Sequence, residues 1–176
     1  MPPNDRDSLD DDVDRIVAQW AEERPDLQTQ AMAVFGRIYR LARIVGDRQE
    51  PAYARFGINR GEFDVLATLR RSGTPYQLSP TALCAHMMLT SGGMTGRLDR
   101  LQRAGLITRS PDPDDRRALL VTLTERGLEV VEEAVEAGLR VQRDVLERLP
   151  VRSRAQLEAL LRDLLAAATR PPELHG

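Results

Sequence analysis

The sequence predicts a mainly α fold with a small β-wing: a winged helix-turn-helix, dimerised through N- and C-terminal helices. Three observations predict it. From Ser79 to Leu123 the caps, apolar stripes and breakers read helix, short turn, helix, two-stranded ribbon. On either side, apolar residues recur at helical spacing for longer than one small core can use. With 41% apolar but only 4% aromatic residues, the interior must be packed by aliphatic helix faces.

Residues 1 to about 7 are polar and charged with two prolines, and read as disordered. A first helix is expected from Ser8, with Leu9, Val13, Ile16, Val17 and Trp20 on one stripe and Asp10, Asp11 and Asp12 in its first turn, where the macrodipole favours acids. Pro25 ends it. A second helix is expected from about Asp26 to Arg55, with Leu27, Met32, Phe35, Ile38, Leu41, Ala42 and Val45 as its inner face and Gly57 as breaker. Asn59 to Ser72 is the third: Asn59 and Glu62 form a capping-box pair, Phe63, Leu66 and Leu69 face inward, and Gly73 caps the end.

Ser79 then caps a helix that has Pro80 at its first position, where a missing N–H costs nothing. Thr90 and Ser91 are candidate caps for the next helix, whose stripe is Met94, Leu98 and Leu101, and Gly105 stops it. Two alternating runs, Leu106–Arg109 and Ala118–Leu123, flank a loop from Ser110 to Arg117. Thr124 caps a long helix to about Leu149, carrying Leu128, Val131, Val135, Leu139, Val141, Val145 and Leu146, and Pro150 breaks it. A last helix spans about Arg152 to Thr169, with Leu157, Leu160, Leu161, Leu164 and Leu165, before Pro171-Pro172. The expected division is residues 1–58 as N-terminal helices, 59–127 as the winged helix-turn-helix, and 128–176 as C-terminal helices.

The chemistry of the central unit is DNA reading. One helix fits the major groove. The front of the second helix is made of small residues, Ser91, Gly92, Gly93, Thr95 and Gly96, which let backbone amides approach phosphates. Arg97, Arg100 and Arg103 recur every third residue behind them, and the loop offers Arg116 and Arg117 at a reach suited to a minor groove or phosphates. The candidate DNA contacts are therefore Ser91, Gly92, Thr95, Arg97, Arg100, Arg116 and Arg117. Arg100 and Arg103 are equally readable as solvated face, and Asp115 as a residue that orients the wing turn.

Net charge is −2, which excludes a uniformly basic coat, but Met1 to Asp26 holds nine acids against three arginines and leaves the remainder net positive. All 25 basic residues are arginine. One cysteine excludes an intrachain disulfide framework. Cys84 reads as a buried structural thiol, and with His86 it does not make a metal site. No phosphate-cradling loop follows a strand and no nucleophile–base pair has local support, so no catalytic residue, metal or cofactor is expected. With no long apolar span and no signal-peptide pattern, a soluble cytoplasmic protein is expected.

The stretches LSPTAL (Leu78–Leu83), SGGMTGRLDRLQRAGLITR (Ser91–Arg109), DPDDRR (Asp112–Arg117) and VTLTERG (Val121–Gly127) resemble the MarR family of transcriptional regulators. The resemblance implies a homodimer interlocked by its terminal helices, presenting two recognition helices to double-stranded DNA at a pseudo-palindromic operator, with repression as the usual mode. The segment WAEERPDL (Trp20–Leu27) is similar to a subgroup with an added N-terminal helix that answers to urate, with relatives answering to anions such as aconitate or citrate. Carried over residue by residue, that subgroup's ligand set falls on Trp20, Asp64, Arg97 and Arg109. In that reading Trp20 is a flat wall, an arginine grips the anion, and Asp64 pairs with an arginine when the pocket is empty. The bland alternatives are an anchoring tryptophan, a static ion pair, and an arginine on phosphate. They belong to a constitutive DNA-binding or architectural protein with no small-molecule effector.

Overall fold

The computed structural model describes residues 11–88, 92–113 and 119–170. The chain divides into two compact units, residues 1–47 and 48–176.

In the first unit, α1 (Asp12–Glu23) opens on Asp11, whose side chain accepts from Val13 N and Asp14 N while Asp14 answers with a bond to the Asp11 amide. The acid expected in the first turn is thus the cap itself, because its extended backbone lets the carboxylate reach back over the free amides. Helix α2 (Gln30–Ala54) starts later than its apolar pattern suggested and leaves Leu27 outside it, 42% exposed. An ion-pair ladder joins the two helices: Arg37 to Asp11 and Asp14, and Arg40 to Asp12. Val13 is the buried residue of α1, and a Cβ on Gly36 of α2 would touch it at 3.0 Å. Met32, Phe35 and Leu41, expected to face inward, are exposed.

In the second unit, α3 (Arg60–Arg71) has the capping box read from Asn59 and Glu62, with both bonds at 2.9 Å. Helix α4 (Pro80–His86) begins on Ser79 as expected. Helix α5 (Met94–Arg103) does not: its N-cap is Gly93 in the left-handed region, φ 74°, without a side-chain cap. Only glycine enters that region freely. A strand absent from the sequence reading, β1 (Gln77–Leu78), joins β2 (Ile107–Pro111) and β3 (Leu119–Leu123) in an antiparallel sheet of order β1-β3-β2. Two residues are too short to show alternation, so pairing of Gln77 with Thr122 and Leu78 with Val121 creates β1.

Helix α6 (Glu125–Leu146) opens on Thr124, and α7 (Val151–Thr169) follows Pro150. The core is a single cluster in which Leu66, Leu69, Leu98, Leu101, Ile107, Val121 and Val131 are nearly or fully buried. Tyr53 and Phe63 stack at 4.3 Å beside it. Each such aliphatic side chain contributes about 1.5–3 kcal/mol. Cys84 is exposed, correcting its reading as a buried thiol: α4 is two turns long and turns Leu83, not its neighbour, into the core.

Candidate nucleic-acid interface

Helix α5 is held on three sides. Leu98 and Leu101 are buried and Met94 packs against the core. Gly92 and Thr95, two of the expected DNA contacts, lie at the exposed front of α5. Ser91, Arg116 and Arg117 lie outside the described residues, as does the candidate cap Thr90.

The arginines are placed by partners far away in sequence. Arg97 is half-buried, its guanidinium laid over Gly61 of α3. Arg100 Nε donates to Glu62 Oε1, from a half-exposed side chain to one that is 7% exposed. On a different flank of α5, Arg109 of β2 donates to Asp99 Oδ1 and, through Nε, to the side-chain Oε1 of Gln102. Sequence reasoning missed Gly61, Glu62, Asp99 and Gln102 as neighbours of these arginines. The Glu62 capping pattern and the carboxylate at 99, two residues past Arg97, were the available signals.

Of the expected effector set, Asp64 is 4% exposed and lines a cavity of about 160 Å3 together with Gln49, Tyr53, Arg60, Phe63 and Met88. Its Oδ1 accepts from Met88 N at 3.4 Å, tying α3 to the end of α4. Above it, Gln49 Nε2 donates to Tyr53 Oη at 3.2 Å and to the Gly138 carbonyl at 3.3 Å. Burial raises the Tyr53 phenol above its ordinary pKa and keeps it neutral. Asp64 and Arg97 both lie on the α3 side of α5, whereas Arg109 stands with Asp99 and Gln102. Trp20, in the other unit, is 42% exposed on α1. Among the described residues no group of acids, histidines and cysteines could hold a metal ion, and no helix is long and apolar enough to cross a membrane.

The geometry is that of a short, small-fronted helix braced beside a β-hairpin. The sequence profile of the MarR family matches residues 56–118, spanning α3 to the wing. The HTH-type transcriptional regulator PecS of Dickeya dadantii is 36% identical over 150 residues, covering 85% of this chain and 90% of that one. Among solved structures, Sco3205, a MarR family transcriptional regulator from Streptomyces coelicolor in complex with DNA, superposes with TM-score 0.70 at 22% identity, covering 85% of this chain and 93% of that chain. A mutant MarR from Escherichia coli complexed with operator DNA gives TM-score 0.61 at 25% identity, covering 83% and 97%. These relatives are regulators, not enzymes. The chain belongs to the MarR family of winged-helix, DNA-binding transcriptional regulators.

Proposed function

We propose that this protein is a ligand-responsive repressor that binds a pseudo-palindromic operator as a homodimer and is released by a small anionic metabolite such as urate or a tricarboxylate. The observation that carries the dimer is the uncovered apolar surface of the terminal helices: no residue of α7 is buried, and Leu160, Leu161 and Leu165 are exposed, as are Ile16 and Trp20 of α1. Apolar faces of this extent mark an interaction surface. Two clasped copies present two α5 helices to half-sites about one helical turn apart. In this reading Gly92 and Thr95, at the exposed front of α5, face the groove with Arg97 and Arg100 beside them, and Arg116 and Arg117 of the loop between β2 and β3 are the further expected contacts.

For the effector, support comes from Asp64. It is a buried carboxylate on a cavity wall, next to the chain that leads into α5. An anion entering beside it repels Asp64 and competes for a neighbouring guanidinium, shifting α5. Coupling of ~1–3 kcal/mol changes DNA affinity roughly 5–150-fold. The engagement of Arg109 by Asp99 and Gln102 favours a second reading, in which that arginine is a structural brace and the protein binds DNA constitutively.

The test is a mobility shift on the DNA upstream of the protein's own gene, with and without urate, aconitate and citrate. Release by one of them supports the sensor. Release by none across a broad metabolite panel supports constitutive binding. Trp20→Ala is expected to blunt the ligand response and leave DNA binding intact, and retention of full ligand affinity removes Trp20 from the site.

A further inference from the structure

The apolar stripe of α5 is not its only anchor. One turn apart, Arg97 and Arg100 face α3, and α3 meets them with two consecutive residues of its first turn. Gly61 receives Arg97: a Cβ at position 61 would stand 2.7 Å from Arg97 Nε and 3.0 Å from its Cζ, so a side chain there requires the guanidinium to move from this place. Glu62 receives Arg100 through Oε1. The other Glu62 oxygen, Oε2, accepts from Asn59 N at 2.9 Å. One buried carboxylate therefore closes the cap of α3 and holds α5 at the same time. Such a carboxylate is tolerated because both oxygens are paired.

We infer that Gly61 and Glu62 are positioning residues for DNA selectivity: they fix the roll of α5 about its own axis, and with it the side chains presented to base edges. The inference rests on α5 being the helix that reads DNA. The buried stripe of Leu98 and Leu101 fixes the depth of α5 on the core but lies close to the axis about which it would roll. The two guanidinium contacts add a hold at larger radius from the helix axis, where a roll displaces atoms most. A roll of about 20° moves a side-chain tip at ~6 Å radius by about 2 Å, beyond the tolerance of a hydrogen bond to a base. The clamps therefore govern selectivity more than overall affinity, which comes chiefly from phosphates.

Gly61→Ala and Glu62→Gln test this. Alanine is the better helix former, so Gly61→Ala favours α3 while displacing Arg97. Glutamine serves in a capping box, so Glu62→Gln keeps the cap and removes only the charge facing Arg100. Both variants and wild type are measured at fixed salt on operator and on random duplex, with Tm alongside. The expected result is a tenfold or larger drop in the operator-to-random affinity ratio, with random-duplex binding not weakened because a guanidinium has been released. For Gly61→Ala, Tm is unchanged or raised. In an Arg97→Ala background, Gly61→Ala is expected to cause no further loss. If wild type discriminates its operator and both variants do so equally well, the positioning role is overturned while the reading of α5 stands. Parallel losses on both duplexes with a lowered Tm also overturn it, in favour of plain stability. If wild type shows no preference for any upstream DNA, the reading of α5 falls and takes the inference with it.

Discussion

Leucines of the winged-helix body and leucines of α7 obey the same spacing and meet opposite fates. Leu66, Leu69, Leu98 and Leu101 are at most 3% exposed, whereas Leu160, Leu161 and Leu165 are 42–67% exposed. Helix α6 shows the change within one element: Val131, Ala134 and Ala137 are buried, and Leu139 and Leu146 are not. Periodicity reports that a face is built for burial, and it does not report whose atoms bury it. The body buries its stripe within one chain, and the terminal helices leave theirs exposed, which is the face the proposed dimer would cover.

The comparison can be broken first in the body. Leu66→Ala is expected to cost about 2–5 kcal/mol through the cavity it leaves, measured by denaturant unfolding, and the loss should be the same at every protein concentration. Next comes the other region. Leu161→Asp with Leu165→Asp, one turn apart on α7, should weaken self-association by about 2–4 kcal/mol, or roughly 30–1,000-fold. Light scattering should show monomers that keep native circular dichroism, and operator binding should fall with the dimer. A dimer that survives both charges would remove α7 from the interface.

Glycines sharpen the contrast. A Cβ on Gly138 of α6 collides with the buried Tyr53 hydroxyl, so Gly138→Ala should cost about 1–3 kcal/mol by overpacking. Gly36→Ala meets Val13 at 3.0 Å, where a few tenths of an ångström suffice, and should cost less in the same thermal melt.

The smallest effect is expected from the charge ladder of the first unit. The Arg40 guanidinium, with Arg15 beside it, holds the Asp12 carboxyl below its ordinary pKa, and Arg37 does the same for Asp14. A folded-state pKa below the unfolded value stabilises above about pH 4 and is lost as pH falls through the folded value. These pairs are solvent-exposed, so the gain is small and salt-sensitive. Emission from Trp20, the sole tryptophan, should therefore shift below about pH 4 and in high salt. Emission indifferent to both would show that the ladder does not hold α1.

What the sequence disclosed follows from range. Caps at Asn59, Ser79 and Thr124 involve residues three apart and were legible. So were the inward stripe of α5 and the left-handed glycine at 105, φ 71°. The partners of Arg100 and Arg97 lie 36 to 38 residues upstream, across a tertiary contact that no local pattern encodes. Strand β1 exists only through its pairing with β3, and the exposure of Cys84 only through the angle at which a two-turn helix docks. The arginines were legible as residue types on α5 and β2, and not as which guanidinium meets which carboxylate.

The joint between α5 and α6 has a mechanical consequence. Thr124 N donates to the Leu106 carbonyl at 3.1 Å, Thr124 Oγ1 donates to the Gly105 carbonyl at 2.8 Å, and Leu106 O occupies the space a Cβ would need on Gly127. The tail of one helix is thereby bolted to the head of the other. At 22 residues α6 is a rod about 33 Å long. Pivoting it by about 5° at its far end swings the bolted end through about 3 Å. In the proposed two-fold assembly both ends would swing, so such a tilt would alter the span between the paired α5 helices by nearly the rise of two base pairs.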